Sequence, residues 1–159
     1  MKKSFEYIIK ISETEFYDKL KKHTAFNCSS SSYDNGYEFY CDNPNNITDL
    51  KVTPTSLLSH EGILAPLIKI QTKQLDENLK VNLTLQSNKI YYFLAVLFSL
   101  AGVLFGLITY FSLANLCLAI IISIVFILII NLAFFIIAKS KITDAKERFE
   151  SVMIFNGHY

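Results

Sequence analysis

Residues 90–138 read IYYFLAVLFSLAGVLFGLITYFSLANLCLAIIISIVFILIINLAFFIIA, with no Asp, Glu, Lys or Arg among them. All of the chain's 15 basic and 14 acidic residues therefore lie on either side of this run. A helix crossing a bilayer needs about 20 apolar residues, because each backbone N–H and C=O in hydrocarbon must be bonded inside its own segment. As one helix, at about 1.5 Å per residue, the run would exceed the hydrocarbon thickness more than twofold, so it must double back. Two spans result, 90–110 with 12 Ile, Leu, Val or Phe and 116–138 with 17. At about −0.3 to −0.6 kcal/mol for each such residue, insertion is favoured by roughly 4–7 and 5–10 kcal/mol.

The break belongs at 111–115, where Ser112 and Asn115 supply capping groups and Asn115 is placed to start the second helix. Tyr91, Tyr92 and Tyr110 stand where amphipathic rings settle at the two interfaces. Lys89, Lys139, Lys141, Lys146 and Arg148 flank the hairpin on its open side, whereas the turn has no basic residue. The positive-inside rule then predicts an inner-membrane protein with both termini in the cytoplasm. The first residues, MKKSFEYIIK, alternate with charges and lack the apolar core of a signal peptide, which agrees with that orientation.

Within the first span Ala95, Ser99, Gly102, Gly106 and Thr109 recur at helical spacing and form one stripe of small residues. The second span carries Ala119 and Ser123 in the same small-x-x-x-small pattern, and Asn131 farther on. Such stripes let helices approach closely, either within one hairpin or between copies in a homo-oligomer. Asn131 precedes Lys139 by eight residues, roughly 12 Å into the hydrocarbon. Its amide is expected to bond another helix or to line a polar passage. Ser99, Gly102, Gly106, Thr109, Ser123 and Asn131 are the candidate pore and helix-packing residues.

The chain thus divides into a soluble head, 1–89, the hairpin, and a tail, 139–159. In the head, Phe5, Tyr7, Ile9 and Ile11 alternate with polar residues, predicting a strand over 5–11. Ser12-Glu13-Thr14-Glu15 is a capping box, and a helix is expected from Glu13 to about His23. The Asp34-Asn35-Gly36 sequence predicts an antiparallel hairpin of 26–33 with 37–41, followed by a polar loop over 42–49. On that pairing Cys28 lies diagonal to Cys41, about 7 Å or more apart, so both are expected as free thiols. Further strands are expected over 50–52, 62–71 and 79–86, giving an α+β head of mostly antiparallel strands with one early helix. In the tail, Ile142, Ala145, Phe149, Val152 and Met153 share one side of an amphipathic helix over 141–158. That face is expected to lie on the head or on a neighbouring subunit.

Chemistry is sparse. His23, His60 and His158 are far apart, no CxxC, GxGxxG or GxxxxGK[ST] occurs, and a net charge of +1 offers no field for nucleic acid. No enzyme, metal or cofactor is therefore expected. Two groups are candidate ligand contacts: Lys19, Lys21 and Lys22 at the end of the first helix, suited to phosphates, and Tyr33, Tyr37 and Tyr40, suited to stacking a base.

In its layout, head plus two-span hairpin, the chain resembles the small membrane effectors of bacterial nucleotide-signalling antiviral defence systems, such as the Hailong type. The resemblance implies a head that senses a small nucleotide or oligonucleotide and helices that permeabilise the bilayer, and it carries no residue assignment. The function expected is an oligomeric channel or pore gated by the head. The alternative is a membrane-anchored module that recruits a partner without conducting.

Overall fold

The computed structural model describes residues 1–26, 36–52 and 64–155. The chain opens with strand β1 (Lys2–Ile9), in which Phe5, Tyr7 and Ile9 are half-buried while Ser4, Glu6 and Ile8 are exposed. It starts earlier than the alternation predicts because a later strand offers partners from Lys2 onward, and it stops at Ile9, ahead of the cap at Ser12. Helix α1 (Glu13–Lys22) carries the expected capping box: Glu15 N–H donates to Ser12 Oγ at 3.2 Å, and Ser12 N–H donates to Glu15 Oε2 at 3.0 Å. Those bonds from Ser12 hold the Glu15 carboxyl below its ordinary range. Phe16 and Leu20, one turn apart, are fully buried.

Strands β2 (Thr24–Phe26), β3 (Phe39–Cys41), β4 (Asp49–Val52), β5 (Leu67–Leu75) and β6 (Asn78–Gln86) complete a six-stranded sheet of order β1-β6-β5-β4-β3-β2. Every pairing is antiparallel except β2 with β3. That exception corrects the expected antiparallel hairpin of 26–33 with 37–41: Ala25 faces Tyr40 and Phe26 faces Cys41 in parallel register. The intervening residues 27–38 suffice for a crossover, which parallel neighbours require. Residues 27–35, including Cys28, Tyr33 and the Asn35 turn, lie outside the described residues. Cys41 is a buried free thiol, raised in pKa chiefly by that burial, and its S–H donates to Asn43 O at 3.0 Å.

The tight hairpin in this sheet is instead β5–β6, closed by Asp76 and Glu77, with Asp76 at φ 45°. Asp tolerates the left-handed region better than most residues, so this turn forms without glycine. β5 accordingly begins at Leu67 and runs on to Leu75.

The core covers one face of the sheet. Leu50, Ile68, Ile70, Leu79, Val81, Leu83 and Leu85 meet Phe16 and Leu20 of α1 and Ile142, Ala145, Phe149, Val152 and Met153 of the C-terminal segment. Phe149 is central, with its ring centroid 6.1 Å from that of Phe39 and 6.4 Å from that of Tyr7. The amphipathic tail therefore lies on its own head, and residues 1–88 and 140–159 form one compact unit.

The second unit, Lys89–Lys139, holds the helical hairpin. Helix α2 (Ile90–Leu113) ends where Ala114 adopts φ 50°, its N–H donating to Tyr110 O at 2.8 Å. Asn115 then caps helix α3 (Leu116–Phe149), its Oδ1 accepting from Leu118 N–H at 3.0 Å. α3 continues past Ala138 without interruption, so residues from Ser140 onward are contributed to the first unit by the same helix. A π-helical segment, Glu150–Phe155, follows.

Candidate functional site

The small-residue stripe of α2 meets α3 of the same chain. A Cβ built on Gly102 would lie 2.8 Å from Phe126 Cδ1 and 3.1 Å from Ile127 Cγ1. One on Gly106 would overlap Ser123 Oγ and lie 3.1 Å from the Ala119 carbonyl oxygen, so backbone approaches backbone there. Ser99 and Ser123 turn their hydroxyls back to Ala95 O at 2.7 Å and Ala119 O at 2.9 Å. Thr109 does the same to Phe105 O at 3.0 Å. The stripe is thus a packing seam between α2 and α3.

Asn131 joins this seam. Its Nδ2 donates to Ser99 Oγ at 3.0 Å across the helix pair and to Ile127 O at 2.8 Å along its own helix. Both amide hydrogens are engaged, yet the residue is exposed, and among the described residues no group donates to Oδ1. The outer faces of both helices are large and apolar: Phe93, Leu104, Ile108, Leu128 and Ile129 are each at least 60% exposed. Both helices are long and apolar enough to cross a membrane, and almost none of their apolar stretches is buried. A core helix of a soluble protein would bury such side chains.

In the head, the two candidate ligand groups do not assemble. Lys19 Nζ donates to Met153 O at 3.3 Å, and burial lowers its pKa; it holds the π-helical segment. Lys22 is exposed, and Lys21 lines a separate cavity. Tyr40 is only 5% exposed, packed with Ala25 and Ala65, with Lys51 Nζ 5.3 Å from its ring, so it offers no stacking surface. Tyr37 is exposed, and Tyr33 is outside the described residues.

The cavity, of about 410 Å³, is lined by Glu13, Thr14, Tyr17, Asp18 and Lys21 of α1 and by residues 45–48. Of these only Lys21 was legible as a ligand contact. The α1 residues follow helical spacing, but the opposite wall is a loop with no periodicity to reveal where it packs.

A polar cluster also fixes the C-terminal segment. Tyr7 hydroxyl donates to Glu150 Oε1 at 3.0 Å, and Lys146 Nζ bonds Glu150 Oε2 at 2.8 Å. Burial first, and then the Glu150 carboxylate, push the Tyr7 pKa upward. Arg148 reaches Glu38 at 3.4 Å and Asp144 at 3.3 Å. Among the described residues, no three His, Cys, Asp or Glu side chains gather as metal ligands. Compared with protein-family models, curated proteins and solved structures, the chain matches none.

Proposed function

We propose that the chain is a two-span membrane protein whose copies assemble around a water-containing passage at the level of Asn131, opened or closed by ligand binding to the soluble unit. The observation that carries this reading is Asn131 Oδ1, an acceptor with no donor among the described residues, on an exposed residue deep within a long apolar helix. A polar group left unbonded in such a medium costs several kcal/mol. The hydroxyl hydrogens of Ser99, Thr109 and Ser123 and both amide hydrogens of Asn131 are already engaged. A second identical hairpin therefore has no spare donor at that depth, and water does.

The exposed apolar faces of α2 and α3 support membrane residence, since soluble monomers rarely expose contiguous apolar patches beyond a few hundred Å². Lys89 and Lys139 at the open end of the hairpin support cytoplasmic termini in an inner membrane. Gating requires a ligand with unequal affinity for two arrangements. The continuity of α3 from the hairpin into the docked tail gives such a difference a covalent route. The layout resemblance adds a role as a permeabilising effector rather than an enzyme.

Dye and ion efflux from liposomes holding the purified full chain tests this. Asn131→Leu is expected to lower efflux at least about tenfold, while Asn131→Ser, which keeps a water-bonding group, retains most of it. Equal efflux from Asn131→Leu would take Asn131 out of the passage, whereas an oligomer without efflux under any ligand would leave the non-conducting recruitment module as the reading.

A further inference from the structure

The cavity beside α1 holds hydrogen-bonding capacity that the fold does not use. Glu13 Oε1 accepts from the Thr72 hydroxyl, and the Tyr17 hydroxyl bonds Thr72 Oγ1 at 3.1 Å. Asn46 Nδ2 donates to Asp49 at 3.2 Å, while Asn46 Oδ1 accepts from the Thr48 hydroxyl at 2.6 Å. Among the described residues, the side chains of Thr14, Asp18, Lys21 and Asn45 make no hydrogen bond or ion pair, although all four line the cavity. Asp18 and Lys21 stand one turn apart on α1 and do not pair with each other.

We infer that this cavity binds an uncharged ring compound bearing vicinal hydroxyls, the chemistry shared by the ribose of a nucleoside and by a free saccharide. The lining sets two carboxylates, Glu13 and Asp18, against one ammonium, Lys21, a net charge of −1 that disfavours an anion. A phosphate would face the carboxylates of Glu13 and Asp18, and an ammonium ligand would face Lys21. The free groups include both donors and acceptors, matching hydroxyls, which are both at once. A carboxylate spans two adjacent hydroxyls, an ammonium donates to their oxygens, and Tyr17 and Ile47 provide apolar wall for ring C–H groups. A volume of about 410 Å³ lies within the range of small-molecule sites, about 300–1,000 Å³. The inference rests on the reading above in taking the soluble unit as the sensor. α1 is the connection: it carries Asp18 and Lys21 into the cavity and Lys19 to the carbonyl of Met153.

Isothermal titration calorimetry on the full chain in detergent tests the site with four probes: uridine, 2′,3′-dideoxyuridine, methyl α-D-glucopyranoside and inorganic phosphate. Uridine or the glucoside is expected to bind with Kd of about 1 mM or tighter, and which one does identifies the source of the diol. Dideoxyuridine is expected to bind at least about tenfold more weakly than uridine, and phosphate not to bind. Asp18→Asn and Lys21→Met, both exposed positions, are expected to weaken diol binding about tenfold without changing the thermal unfolding profile, whereas Lys22→Met changes neither. Absence of binding by both diols, dideoxyuridine binding as tightly as uridine where uridine binds, indifference to both substitutions, or phosphate binding would overturn the proposal. Efflux that depends on Asn131 in a chain that binds neither diol overturns the site alone; diol binding without efflux overturns the channel alone.

Discussion

The two units of this chain place the same side chains on opposite sides. In the sheet unit Phe16, Phe39 and Phe149 are fully buried, and polar residues such as Lys69 and Gln71 face outward. In the hairpin Phe93 is 65% and Phe111 81% exposed, while the buried positions are mostly small, Gly102, Gly106, Ala119 and Ala138, with Tyr91 at the start of α2. Removal of apolar surface from water organises the first arrangement. On the membrane reading proposed above it cannot organise the second, which would lie in surroundings as apolar as its side chains; there close backbone approach and polar pairing hold α2 to α3. Large apolar residues occur in both units; the absence of charge and the position of the small residues set the hairpin apart.

The comparison is broken most severely by substitution at the centre of the first arrangement. Phe149→Ala removes the ring between Phe39 and Tyr7 and is expected to destabilise the sheet unit by about 3–5 kcal/mol. Hydrogen exchange of the β6 amides should accelerate accordingly, while exchange in α2 stays slow. The converse change adds volume to the seam: Gly106→Val drives a branched side chain into Ser123 and is expected to cost about 1–3 kcal/mol of hairpin stability. Its signature is loss of the Ser99–Asn131 contact, read by cross-linking of a cysteine pair placed at those positions, with the melting of the sheet unit unchanged.

A smaller effect sharpens the contrast through pH. The folded-state pKa of Tyr7 is raised above its unfolded value of 10.0, so its contribution is fully present below that pH and is lost as pH rises through the folded pKa. Tyr7→Phe is expected to cost about 1 kcal/mol near neutrality and to flatten the loss of stability above about pH 10 in denaturant titrations. An unchanged alkaline limb in Tyr7→Phe would show that Glu150 does not depend on this hydroxyl.

What could be read from the residues alone follows how locally each feature is determined. The charge-free run, the Asn115 cap and the Ser12–Glu15 box are decided by groups within a turn or two of one another, and each is found where the sequence puts it. The alternation of Leu79, Val81, Leu83 and Leu85 likewise announces β6 and its inward face. The pairing of β1 with β6 joins residues about eighty positions apart, and no local pattern names the partner. The parallel β2–β3 pair escaped for a different reason: Asn35-Gly36 is a strong hairpin signal, but here Thr24–Phe26 pairs in the other direction. At the candidate sites, the stripe was legible as small residues at helical spacing. Its use within one chain follows from the fit of Gly106 against Ser123, which spacing alone leaves open.

Because Ile142, Phe149 and Met153 seal a core begun by β1, the ribosome delivers the last pieces of that core only after the whole charge-free run has emerged. At about 5–20 residues per second, the gap between Gln86 and Phe149 is roughly 3–13 seconds. During that interval the nascent sheet is unsealed, so on the membrane reading proposed above translation itself gives the hairpin time to be taken up before the globular unit closes.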